Sequence, residues 1–142
     1  MFYHAAQEGV VDARRSIQVG IRTTYTNPSD FVVHDANRVH EEGIDATVAR
    51  IREVVGDNRC YITFDIDCLD PAYAPGTGTP VCGGLSTWQA KEILRRLDGI
   101  ALIGMDVVEV APPYDHAEIT SLAGATMALE LICLMARLRG AA

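Results

Sequence analysis

The segment Cys60-Tyr-Ile-Thr-Phe64 runs straight into Asp65-Ile66-Asp67, and no other stretch constrains the chain as tightly. Aromatic, β-branched and small apolar residues in a short run predict a buried strand. Acid then follows at once. A strand that buries its body and ends in carboxylates belongs to a sheet whose carboxyl edge faces a ligand or solvent. A second apolar run, Ile100 to Val108, behaves the same way and closes on Glu109. Near-continuous apolar strands of this kind lie in parallel sheets covered on both faces by helices.

The remaining segments fit that alternation. Residues 17–22 alternate as a strand, and 31–34 form a second short candidate. Ile44, Val48, Ile51 and Val55 make a helical stripe that Gly56 can stop. Ser86 and Gln89 have the spacing of a capping box, and the helix they open buries Ala90, Ile93, Leu94 and Leu97. A last helix is predicted over residues 117–138. It is mostly apolar, but Glu130 sits inside it, and a lone carboxylate at mid-bilayer is costly. The expectation is a helix buried within protein, with no membrane span. Between residues 70 and 84 lies one long loop rich in Pro, Gly and Thr.

Composition removes several functions. The chain has 142 residues, with 19 acidic against 12 basic ones and a net charge of −7. An acidic chain repels phosphate backbones, so neither nucleic acid nor an anionic membrane is an expected partner. The four cysteines form no CxxC pair and the histidines add no zinc-finger spacing. Scattered cysteines in such a chain read as buried free thiols, which suggests a cytoplasmic location. Met1-Phe-Tyr-His lacks the basic and apolar regions of a signal peptide.

Asp65 and Asp67 are the first candidate site residues. On a strand, residues i and i+2 share a face, so the two carboxylates would point the same way. Like charges side by side repel unless a cation lies between them. Hard divalent ions such as Mn²⁺ or Mg²⁺ favour carboxylate oxygens, so a metal site is one reading and a solvated, self-capped turn the other. Haloacid-dehalogenase-type phosphatases also place Asp-x-Asp after a strand, but they call for Thr or Val where this chain has Leu69. Glu109, flanked by Val108 and Val110, is expected to be semi-buried and able to hold a cationic group. The loop Pro75-Gly-Thr-Gly-Thr-Pro80 lacks the Lys of a phosphate-binding loop and reads as an active-site rim. Gly76 and Gly78 would allow it unusual backbone angles.

Together these segments resemble the ureohydrolase family of arginases and agmatinases. The resemblance runs through Thr63-Phe-Asp-Ile-Asp67, Leu69-Asp-Pro71, Pro75-Gly-Thr-Gly-Thr-Pro80 and Gly83-Gly-Leu85. Gly104-Met-Asp-Val-Val-Glu109 and Gln18-Val-Gly-Ile-Arg22 look like the agmatinase branch. The resemblance implies the C-terminal portion of a three-layer αβα arginase-type fold with a mainly parallel sheet, residues 1–142 being part of one domain. It implies Asp65 and Asp67 as ligands of a binuclear Mn²⁺ cluster. It places the substrate guanidinium on Glu109, with Thr79 close to the same group. The implied reaction is metal-assisted hydrolysis of agmatine to putrescine and urea. A different guanidino substrate such as guanidinobutyrate, or a non-catalytic partner subunit, are the alternatives.

The resemblance also defines what is missing. The family's upstream metal-binding histidine, its Asp-Ala-His-x-Asp segment and its proton-shuttling histidine have no counterpart here. His4, His34, His40 and His116 lie in no such motif and read as surface or supporting residues. The expectation is therefore an N-terminal metal-binding part absent from this chain. The chain would be inactive alone, with exposed sheet edges and helix faces, and the full-length form would be a homo-oligomer.

Overall fold

A computed structural model describes residues 2–23 and 30–140. Helix α1 spans Phe2–Gln7, β1 Ile17–Val19 and β2 Val32–His34. They are followed by α2 (Ala36–Val55), β3 (Cys60–Asp65), α3 (Thr87–Arg95), β4 (Leu102–Val108) and α4 (Ile119–Gly140). The class is α/β with parallel strands, as expected. The strands form two separate parallel pairs, β1 with β2 and β3 with β4. In the second pair Thr63 lies opposite Asp106, and Asp65 opposite Val108.

The helices begin and end where local chemistry dictates. The Ser86 hydroxyl accepts the Gln89 N–H at 3.1 Å, and the Gln89 side chain accepts the Ser86 N–H at 2.9 Å. This is the capping box read from the sequence. The first long helix starts eight residues before its hydrophobic stripe suggested, at an N-cap formed by Asp35. Gly43 hides that start. Its φ of 84° breaks the helical course, so the stripe resumes only beyond it. The freed Gly43 carbonyl accepts the Thr47 hydroxyl at 2.8 Å. With the Thr47 proton spent there, the ring of buried His34 donates to Thr47 from Nε2 at 3.1 Å. This histidine is a buried, hydrogen-bonded core group, neither a surface residue nor a support of the site.

Sheet and helices bury one common core. Phe64, Ile66, Leu94, Met127 and Leu131 belong to it. The opposite side is open among the described residues. Tyr61 remains 57% and Ile103 54% exposed. Helix α4 is buried on one side only, and its other side is an exposed helix face of the kind expected for this chain. It buries the stripe Ala123, Met127, Leu131 and Leu134, but Leu122 stays 69% and Leu129 59% exposed. By length and composition it could cross a membrane, with a third of its apolar window buried. Its buried stripe packs it as one wall of the core. Among the described residues no element covers its outer stripe. Of the four free cysteines, Cys60 and Cys68 are half-buried while Cys82 and Cys133 are exposed, so only two fit the buried reading.

One side chain ties the first strand pair to the second. The Arg22 guanidinium donates to the carbonyls of Asp67 at 2.6 Å, Val81 at 2.8 Å and Cys68 at 3.2 Å. It also reaches the Gly20 carbonyl at 3.1 Å. Five N–H donors in a rigid fork suit a cluster of backbone carbonyls better than a single ammonium does. The other end of the site is held by Asp115. Its carboxylate accepts the N–H groups of Thr120 at 2.9 Å and Ser121 at 2.8 Å, at the start of α4. Desolvation pushes its pKa up, but these bonds outweigh it and bring the pKa down to about 2.

Three outcomes are expected. Replacing Arg22 by Met should lower stability by about 2–3 kcal/mol in urea titrations, because charged donors to carbonyls are lost together; R22K should recover little of it. The Asp115 carboxyl, followed by NMR, should titrate near pH 2. Its native pKa lies below the unfolded value, so its contribution to stability is complete above about pH 4. That contribution should fade as pH falls towards about 2. The exposed apolar stripe should make the 142-residue chain self-associate in light scattering, and a monodisperse monomer would contradict this.

Candidate metal and guanidinium site

The site is assembled at the carboxyl ends of β3 and β4. Asp65 is the last residue of β3, and the chain then tightens into a 3-10 turn over Ile66–Cys68. Asp67 therefore lies on a turn, which corrects the argument that strand alternation aligns the two carboxylates. They are brought together by the turn itself, since Asp65 Oδ1 accepts the Asp67 N–H at 2.9 Å. Buried Ile66 anchors the turn in the core and leaves both acids at its rim.

Asp65 carries the electrostatic signature of the site. Desolvation raises its pKa, the Asp67 N–H opposes this, and the charges of Asp67 and Glu109 add to the rise. Arg22 offsets part of the repulsion. Asp67 and Glu109 thus make Asp65 costlier to ionise, a cost that a cation beside it would relieve.

Both carboxylate oxygens of Asp67 face hydroxyls of the Pro-Gly-Thr loop. Thr77 Oγ1 donates to Oδ1 and Thr79 Oγ1 to Oδ2. Thr79, expected beside the guanidinium group, is thus found on Asp67. The loop packs closely against Asp115 and Thr120 at Gly76. A Cβ at Gly76 would come within 2.6 Å of Asp115 Cβ, so that position admits only glycine. Neither Gly76 nor Gly78 has a positive φ, which corrects the reading that they supply unusual angles.

Glu109 sits just past the end of β4 with φ at 66°. This left-handed conformation costs a non-glycine residue roughly 1 kcal/mol or more. It turns the residue outward, so Glu109 is exposed rather than semi-buried. The Thr77 hydroxyl reaches its carbonyl at 3.0 Å. The Ala111 N–H donates to the Gly76 carbonyl at 2.8 Å, and Thr77 bridges to Val110. Loop and strand end are thereby laced together around Glu109.

Sequence reasoning missed Arg22 and Thr77 as supports of the site. Arg22 gave no sign because an arginine ending a short strand usually faces solvent. Thr77 stood beside Thr79 in the loop with nothing in its spacing to mark it as the buried one, at 5% exposure. Asp106 lies on the same face as Asp65. Its Oδ2 accepts the Tyr61 hydroxyl at 3.0 Å and its buried Oδ1 has no partner.

The donor set suits a hard divalent cation in kind. Asp65 and Asp67 offer carboxylate oxygens in a repulsive, partly desolvated setting. Among the described residues no group of three or more His, Cys, Asp or Glu side chains converges on one point. A hard cation takes about six oxygen ligands, so the two aspartates fit as part of a metal site.

The chain is similar in sequence and in fold to known proteins. The Arginase family model matches residues 1–134. An agmatinase of Photorhabdus laumondii is 57% identical over 136 residues, covering 96% of this chain and 44% of the relative. An agmatinase of Neisseria gonorrhoeae is 56% identical over 134 residues, 94% of this chain and 44% of the relative. A crystal structure of a hypothetical agmatinase from Burkholderia thailandensis superposes with a TM-score of 0.96 at 54% identity, covering 99% of this chain and 45% of that one. Proclavaminate amidino hydrolase of Streptomyces clavuligerus gives 0.90 at 37% identity, with 96% and 47% covered. The chain spans under half the length of the relatives it matches. By its matched family model, its sequence relatives and its fold, the chain belongs to the arginase family.

Proposed function

We propose that this chain supplies the substrate-facing carboxylates of an agmatinase-type ureohydrolase. The observation that carries the reading is Glu109. It is turned outward at the strand end, beside the Asp65–Asp67 turn, in a chain 51–57% identical to agmatinases. A carboxylate accepts two parallel N–H bonds from a planar guanidinium, which fixes the orientation of the group. Asp65 and Asp67 would hold manganese jointly with ligands from the rest of a complete site. Manganese bound there supplies an acidified water as nucleophile. Water adds to the guanidinium carbon and the bond to the alkyl nitrogen breaks, so agmatine yields urea and putrescine. The acidic side chains at the rim favour a dicationic substrate. Cytoplasmic residence, supported by the free cysteines, and a homo-oligomeric complete enzyme belong to the same proposal.

Another guanidino compound is the second reading. It is favoured by the likeness to proclavaminate amidino hydrolase, at 37% identity. The greater identity to agmatinases favours agmatine.

The chain alone, with Mn²⁺ and agmatine, should release no urea. Assembled with the N-terminal half of a related agmatinase, it should release urea, and faster from agmatine than from 4-guanidinobutyrate. In that assembly Glu109→Gln should lower kcat/KM by about a hundredfold or more, because one partner of a charged pair is removed. Asp67→Asn should weaken Mn²⁺ binding measured by titration. No urea from a folded assembly with Asp65 and Asp67 intact would overturn the proposal.

A further inference from the structure

We infer that Thr77 is the positioning residue that sets Glu109 against the Asp65–Asp67 pair, an inference that rests on the ureohydrolase reading for its functional consequence. Thr77 is the only side chain among the described hydrogen bonds that touches both halves of the site. Its hydroxyl lies on Asp67 Oδ1 and, at 3.0 Å, on the Glu109 carbonyl. It is buried, so water does not compete for either contact. One hydroxyl proton serves two acceptors, which makes Asp67, Thr77 and Glu109 a single hydrogen-bonded unit.

Glu109 needs such a support. Its left-handed backbone, at φ 66°, is unfavourable for glutamate and persists only where neighbours over-determine it. Thr77 provides the side-chain contact to that residue's carbonyl. The adjacent lacing, Ala111 N–H to the Gly76 carbonyl, fixes the chain just beyond it. Gly76 is itself clamped, since its N–H donates to the buried Thr120 hydroxyl at 2.7 Å. The support for Glu109 thus runs from the core start of α4 through the loop to the metal-facing turn. Thr79 shows the contrast. Its hydroxyl also lies on Asp67 but makes no contact with Glu109, and the residue is exposed.

The two threonines therefore separate in experiment. Amide exchange of the 142-residue chain is measured by NMR for wild type, Thr77→Val, Thr77→Ser and Thr79→Val. Thr77→Val keeps the side-chain shape and removes the hydroxyl. It should speed exchange at the Ala111 amide about tenfold, the effect of one lost hydrogen bond, and leave α3 protected. Thr77→Ser should restore protection and Thr79→Val should not alter it. Unchanged exchange in Thr77→Val, an equal rise in Thr79→Val, or loss of protection reaching α3 would each overturn a local positioning role. In the urea-releasing assembly, Thr77→Val should raise KM for agmatine about tenfold while lowering kcat less, since a misaimed Glu109 loses binding first. An unchanged KM would overturn the functional part. Absence of urea from the wild-type assembly would count against the ureohydrolase proposal itself, and the exchange data would still decide the role of Thr77.

Discussion

Everything at the site depends on how the Asp67 turn is held. Its carboxylate is gripped by two loop hydroxyls and its carbonyl by the Arg22 guanidinium. Its N–H is taken by Asp65. An acid at the rim of a core, close to two other acids, would otherwise swing into water to escape repulsion. Fixing it from three directions preorganises the carboxylates for a cation before one arrives, so less ordering is left for binding to offset.

The same economy shapes the rest of the fold. The long loop after β3 is not loosely attached. It is joined to the strand ends by bridges at Leu69–Leu85 and Thr77–Val110, and by the Asp70 carboxylate accepting the N–H groups of Gly83 and Gly84. Burial of Ile66 and Leu69 on either side of Asp67 keeps the turn on the core. The helices serve mainly as backing. Helix α4 begins at Ile119, where the Asp115 carboxylate accepts the Thr120 N–H and the Thr120 hydroxyl accepts the Gly76 N–H of the loop. Site and core are therefore one construction, and a change at Arg22 or Gly76 reaches the carboxylates without touching them.

Much of this was legible in the chain. The capping box at Ser86 is a purely local code, and the helix it opens lies where expected. The strands at residues 60–65 and 102–108 follow from apolar runs that stop at acid. Three features were not legible, for distinct reasons. The early start of α2 is masked by Gly43, which interrupts the periodicity from which helices are read. The placement of Asp67 on a turn, rather than on the strand, depends on Arg22 drawing three successive carbonyls together from another part of the chain. The outward turn of Glu109 depends on Thr77, a contact across 32 positions that no spacing rule encodes. The apolar composition of α4 indicated burial, yet burial needs a covering layer that the described residues do not provide.

The central claim is that Asp65 and Asp67 face a cation while Glu109, held by the same lacing, faces a guanidinium group. Its most direct measurement is anomalous diffraction at the manganese edge from crystals of the assembled protein grown with Mn²⁺ and a guanidinium salt. The account predicts manganese in contact with carboxylate oxygens of both Asp65 and Asp67, with the guanidinium plane paired to the Glu109 carboxylate. Manganese bound elsewhere, or a guanidinium ion that avoids Glu109 in a correctly folded protein, would contradict it.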